Sequence, residues 1–216
     1  MTETQIPQSR LSQAFAFAAW IHQDQYRKQA EDEKHKPAIK YLTHLADVLG
    51  IVIQGHGDED QQIAALLHDA LEDQPITPAG QVTAVEIQRL FGDRVLELVK
   101  DCTDGDTGIE RTKDNWQERK EIHIAHMRAK AATDPAFLLV SVADKLSNSL
   151  AITNDVENEG VIVWDRFNAS AKQTSWYYGE VLAVYTEYLG KENALVQRLS
   201  RQVKRLQELV AQVSSK

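Results

Sequence analysis

Apolar residues recur in this chain at steps of three and four over most of its length, the repeat of helices that bury one face. Leu11, Phe15, Ala18, Ala19 and His22 share one such face, and His44, Val48 and Ile51 another. Phe137, Val140, Asp144, Asn148 and Ala151 make a third, and Leu199, Val203, Leu206, Val210 and Val213 a last. Turn formers are scarce, with ten glycines and five prolines in 216 residues, well short of the roughly 12% of average usage. The pattern predicts an all-α fold. Its helices are expected over 12–28, 39–54, 58–72, 83–90, 94–102, 116–131, 135–153 and 192–213, with an aromatic-rich helix after an acidic loop at 154–160. Asp93 is expected to cap the helix that follows it. The polar stretches 29–36 and 103–114 read as loops, the second as a mobile cover over a site, and Pro75 and Pro78 enforce another break.

No repeat or low-complexity linker divides the chain. It is expected to hold an N-terminal tail (1–11), a principal domain (12–180) and a C-terminal helical extension (181–216). The extension's apolar seam must be covered, either by the subunit's own core or by a second copy in a homodimer. With 24 Lys+Arg against 32 Asp+Glu the net charge is −8, which argues against a long nucleic acid as ligand. Uncharged apolar runs such as Ala14 to Ile21 and Ala136 to Ala143 fall far short of the ~18 residues that cross a bilayer, so no membrane partner is expected. The N-terminus shows no secretory leader, and Cys102, the single cysteine, can form no internal disulfide. Both point to the cytoplasm.

The chemistry concentrates at His68-Asp69 and Glu72-Asp73, which follow an apolar run. Buried charge is costly unless paired or metal-bound. On a helix, Glu72 and Asp73 would lie one turn beyond a His68/Asp69 ligand pair. His44 and Asp144, polar residues on apolar stripes, could complete a set of two imidazoles and two carboxylates that suits a divalent ion such as manganese or iron. Each residue alone also has a plainer reading. His44 would be a core histidine, Asp144 an ion-pair partner of Lys145, and Glu72-Asp73 a solvated helix end. Trp116, Arg119 and Lys120 form either a phosphate-facing group or a solvated face. The aromatic group from Trp164 to Tyr178 is read as core, and His123 and His126 as surface.

Several segments, in order, resemble HD-domain phosphohydrolases of the RelA/SpoT hydrolase type, in particular the single-domain small alarmone hydrolases and their bacterial subgroup. They are His22-Gln-Asp-Gln-Tyr-Arg-Lys28, Tyr41-Leu-Thr-His44, Ala64-Ala-Leu-Leu-His-Asp-Ala-Leu-Glu-Asp73, Glu86-Ile87 with Phe91-Gly92, Thr103-Asp104, and Val142-Ala-Asp-Lys-Leu-Ser-Asn148. Leu45 and Gln74 stand where the family often has Pro and Thr. The resemblance implies an HD-domain helical bundle and one divalent ion, Mn2+ ahead of Fe2+, Zn2+ or Mg2+, held by His44, His68, Asp69 and Asp144. It implies Glu72 and Asp73 as the catalytic acidic pair, and Arg27, Lys28 and Asn148 as contacts to a small nucleotide, with Lys145 and Arg119 as added cations. The activity implied is removal of the 3′-diphosphate from guanosine or adenosine 3′,5′-bis(diphosphate)-type alarmones. An HD-type phosphohydrolase of another nucleotide or small phosphoester, and a non-catalytic nucleotide sensor, stay open as alternatives.

Overall fold

The computed structural model describes residues 9–28, 38–72, 76–77, 80–103, 112 and 114–213. Among these residues nine α-helices are joined by short turns, two 3₁₀ segments and a two-residue antiparallel pair, β1 (Ile76–Thr77) with β2 (Gly80–Gln81). The helices are α1 (Arg10–Ile21), α2 (Leu42–Gln54), α3 (Glu59–Leu67), α4 (Ala84–Phe91), α5 (Asp93–Cys102), α6 (Trp116–Ala131), α7 (Leu138–Glu159), α8 (Ala171–Leu189) and α9 (Ala194–Val213). Side-chain caps set several starts. Asp58, Thr83 and Ser170 each close a reciprocal capping box with a Gln or Glu three residues on, satisfying amide groups that a helix start leaves orphaned.

α7 is the hub. It packs against α2, α3, α8 and α9, while α3 also packs on α1, α2 and α5. Residues 135–166 would be long and apolar enough to cross a bilayer by length and composition, unlike the shorter runs counted in the sequence, but 67% of their most apolar window is buried within the protein. That is the environment of a core helix. The seam of α9 is covered from inside the chain: Leu195, Val196, Leu199, Val203, Leu206, Leu209 and Val210 are buried where the helix meets α7 and α8. The expected boundary at 180/181 falls inside α8.

Several expected boundaries move, each for a physical reason. α1 stops at Ile21, where the amide of His22 closes the helix on Ala18. Gln25 to Lys28 then run extended, with Arg27 N donating to Ile39 O at 2.9 Å and Tyr41 N to Gln25 O at 3.0 Å. α3 ends at Leu67, so His68 to Glu72 form a turn. Gly92, at φ +91°, replaces Asp93 as the cap between α4 and α5, a conformation that glycine adopts without strain. α7 continues to Glu159, through most of the stretch expected to be an acidic loop. Val156 buries there, and Arg166 folds back onto Asp155 at 3.1 Å and Glu159 at 2.6 Å.

Candidate functional site

Three elements bring one polar cluster into the core. His44 stands in the first turn of α2, His68 caps the end of α3, and Asp144 lies on α7. Their relative exposures are 2%, 3% and 7%, and one potential ligand atom from each lies within 4.8 Å of the others. His44 Nε2 is 3.2 Å from Asp144 Oδ1, and His68 Nε2 is 3.7 Å from the same oxygen. Asp69 stands beside the trio, its Oδ2 3.0 Å from His68 Nε2 and 3.8 Å from His44 Nε2. The four residues expected as ligands therefore lie together, three of them as a compact group.

The hydrogen bonds around this cluster fit a cation. His68 Nδ1 meets the Ala65 carbonyl at 2.9 Å. A carbonyl only accepts, so Nδ1 carries the proton and the neutral ring turns a lone pair at Nε2 toward two carboxylates. That Nε2 is buried and makes no hydrogen bond. A lone pair facing carboxylate oxygens is repulsive until a proton or a divalent cation sits between them. Without a metal the proton serves: burial opposes the charge on His68, but the Asp69 and Asp144 carboxylates outweigh it and hold the imidazole well above its ordinary pKa. Burial likewise opposes the charge of Asp144, yet Lys145 and the two imidazoles keep its carboxyl well below the usual range. Asp69 is lowered against its burial chiefly by His68. Two imidazole nitrogens and carboxylate oxygens form a donor set for a borderline or hard divalent ion.

Partners outside the cluster hold it in place. Asp144 Oδ2 accepts from Lys145 Nζ at 2.7 Å and Oδ1 from Asn148 Nδ2 at 2.5 Å. The Tyr41 hydroxyl donates to Asp69 Oδ2, and Ser147 Oγ meets His44 Nδ1 at 3.2 Å. Tyr41 and Ser147 lie in segments quoted for the resemblance but were given no role there, because a single hydroxyl carries no distinctive pattern.

Beside the cluster lies a cavity of about 580 Å³, lined by Tyr41, Asp69, Glu72, Lys145 and Asn148 among others. Arg27, Lys28 and Arg119 line it too, so the expected substrate contacts share one cavity. Arg27 Nη2 donates to Asn148 Oδ1 at 3.2 Å. Lys120 and Arg166 bring the lining cations to six, against the carboxylates of Asp69, Glu72 and Asp155. A chain of net charge −8 thus concentrates positive charge where an anion would enter. Glu72 is half-buried at this wall. Asp73 lies outside the described residues, as do most of the expected loops at 29–36 and 103–114.

The cavity lining also includes Asp155, Arg166 and Asn168, to which the sequence assigned no role, and Phe167, which it counted with the aromatic core. Trp164 is core, as expected, but Tyr177 and Tyr178 are both buried and cavity-lining. His123, expected at the surface, is instead buried at 7% exposure, with its ring centroid 6.3 Å from that of Tyr177. It occupies the face by which α6 packs on α8.

The signature of the HD domain family matches residues 14–173. The chain belongs to the HD domain family. Among its relatives, the guanosine-3′,5′-bis(diphosphate) 3′-pyrophosphohydrolase MESH1 of Drosophila melanogaster is 30% identical over 142 residues, 66% of this chain and 69% of MESH1. The bifunctional (p)ppGpp synthase/hydrolase SpoT of Escherichia coli K12 is 30% identical over 154 residues, 68% of this chain. The chain spans only 19% of SpoT and 16% of a 29%-identical GTP pyrophosphokinase of Myxococcus xanthus. In fold it is similar to a metazoan ortholog of SpoT, with a TM-score of 0.65 at 24% identity, covering 94% of this chain and 98% of that one. A protein of Listeria monocytogenes EGD-e gives 0.61 at 28% identity, over 74% and 96%.

Proposed function

We propose that this HD-domain chain is a metal-dependent pyrophosphohydrolase that removes the 3′-diphosphate from guanosine or adenosine 3′,5′-bis(diphosphate)-type nucleotides, with Mn2+ as its ion. The observation that carries the reading is the buried His44, His68 and Asp144 trio beside a cavity whose lining cations outnumber its carboxylates six to three. The naming of MESH1 for the same hydrolysis supports the substrate class. Asp69 would join the trio in holding the ion. Held by these residues, a divalent ion would supply an acidified water and charge neutralisation at a phosphoryl oxygen.

The chain's own groups do the rest. Arg27, Lys28, Lys145 and Arg119 offset the substrate's phosphates through charge-assisted hydrogen bonds, and Asn148 contacts the nucleotide. Hydrolysis requires one proton to leave the attacking water and one to reach the departing 3′-oxygen, and Glu72 and Asp73 share those transfers. The same reading assigns the protein to the cytoplasm.

The test is product analysis after incubation with guanosine and adenosine 3′,5′-bis(diphosphates) and Mn2+. Pyrophosphate and the nucleoside 5′-diphosphate are expected. Orthophosphate released only from nucleoside monophosphates would replace the substrate assignment, and tight binding without turnover would make the protein a sensor.

A further inference from the structure

The two imidazoles of the cluster are held in different ways. His68 Nδ1 is tied to a backbone carbonyl, Ala65 O, at 2.9 Å, which fixes one tautomer. His44 Nδ1 is tied to Ser147 Oγ at 3.2 Å, and a hydroxyl can either donate or accept. Both partners are buried, His44 at 2% and Ser147 at 6% exposure. Ser147 follows Asp144 by three residues on α7, so both lie on one helix face. That face offers the Asp144 carboxylate to Nε2 at 3.2 Å and the hydroxyl to Nδ1 on the other side of the same ring.

We propose that Ser147 is a positioning residue whose hydroxyl follows the tautomer of His44, letting the ring exchange a hydrogen bond for a cation. Without the cation, Nε2–H donates to Asp144 Oδ1 and Ser147 donates to Nδ1. With it, Nε2 presents a lone pair, Nδ1 carries the proton, and the hydroxyl turns to accept. One proton is reassigned from Nε2 to Nδ1, and none is lost from the ring. Neither state leaves a buried polar atom of His44 unpartnered, a condition that otherwise costs heavily. Ser147→Ala removes the partner that selects Nδ1–H. The inference rests on reading His44, His68 and Asp144 as a cation site.

The experiment measures Mn2+ affinity of the full chain by chelator competition, with no nucleotide present. Ser147→Ala is expected to bind 10–100-fold more weakly, the usual loss when a ligand's outer partner is removed. Ser147→Thr, which keeps the hydroxyl, is expected to restore most of that affinity. Wild-type affinity in the alanine variant overturns the proposal, and so does an equal loss in both variants, which would follow side-chain shape instead of the hydroxyl. On the wild-type chain, nitrogen-15 spectra of the histidines should show His44 protonated at Nε2 without metal and at Nδ1 with zinc. The same tautomer in both states overturns the proposal independently of any variant. A wild-type chain that binds neither ion removes the cation site itself, a failure distinct from the others.

Discussion

Leu199→Ala tests how the C-terminal helix is covered. Leu199 is fully buried, in the second turn of α9, a helix that lies on α7 and α8. Polar contacts flank the seam: Thr153 Oγ1 donates to Gln202 Oε1 at 3.2 Å, and Arg205 Nε to Glu157 Oε1 at 2.7 Å. Truncating a fully buried leucine removes its transfer free energy and leaves a cavity, together about 3–5 kcal/mol. For a chain of this size each kcal/mol moves the melting temperature by about 2–4 °C, so a drop of about 6–20 °C is expected. Val85→Ala is the control, because Val85 is 69% exposed and its truncation should cost within about 0.5 kcal/mol.

The assay is thermal unfolding followed by circular dichroism at two protein concentrations tenfold apart. Coverage by the chain's own helices predicts a drop that does not depend on concentration. Coverage by a second copy predicts a wild-type melting temperature that rises with concentration, since association stabilises by mass action. A concentration-dependent wild type, or a Leu199→Ala protein melting with the wild type, refutes the intrachain packing.

Glu72→Gln keeps the cluster intact and should retain Mn2+ while losing about 10²–10⁴-fold in kcat; near-normal kcat would remove Glu72 from the chemistry. Asp144→Asn removes the carboxylate charge that faces both imidazoles and should sharply lower metal content by elemental analysis, whereas unchanged content would move the ion elsewhere. Asp134 is held below the ordinary aspartate range by the Ala136 amide and then by Arg94. Its stabilisation is therefore full above the unfolded pKa of about 4 and fades as the pH falls through the depressed folded value. Because the carboxylate is about half exposed, Asp134→Ala should cost only ~0.5–1 kcal/mol at neutral pH. The melting temperatures of the two proteins should converge in acid, and a gap that widens instead would reverse the sign of the argument.

Helices were legible in the sequence wherever an apolar period ended at a cap or a breaker. The end of α6 follows from the breaker Thr133-Asp134-Pro135 just beyond it, and the limits of α4 from Thr83 before it and Gly92 after it. The end of α7 was hidden because residues 154–159 look too acidic for a buried helix. Their compensation comes from Arg166, 11 residues beyond Asp155 and 7 beyond Glu159, a pairing no local window contains. In the site, His44 and Asp144 stood out as polar residues on apolar stripes. His123 followed the same rule and was passed over because His126, which is exposed, suggested a common solvent face. The cavity roles of Asp155, Arg166 and Phe167 escaped because Asp155, in the last turns of α7, comes beside Arg166 and Phe167 only once the chain has turned beyond that helix.

Asn148 is the link between the cluster and the cavity. Its Oδ1 accepts from Arg27 at 3.2 Å and its Nδ2 donates to Asp144 Oδ1 at 2.5 Å, so the amide can point only one way. The same Asp144 oxygen lies 3.2 Å from His44 Nε2. A line of polar contacts therefore runs from a cavity cation, through one amide, to the carboxylate that faces both imidazoles. An anion that draws Arg27 toward itself weakens the Arg27–Asn148 bond and frees the amide oxygen, while the amide nitrogen still holds Asp144. Carboxylate geometry at the cluster is then insulated from substrate charge by a neutral group. An aspartate at 148 would remove that insulation by setting a second carboxylate against Asp144.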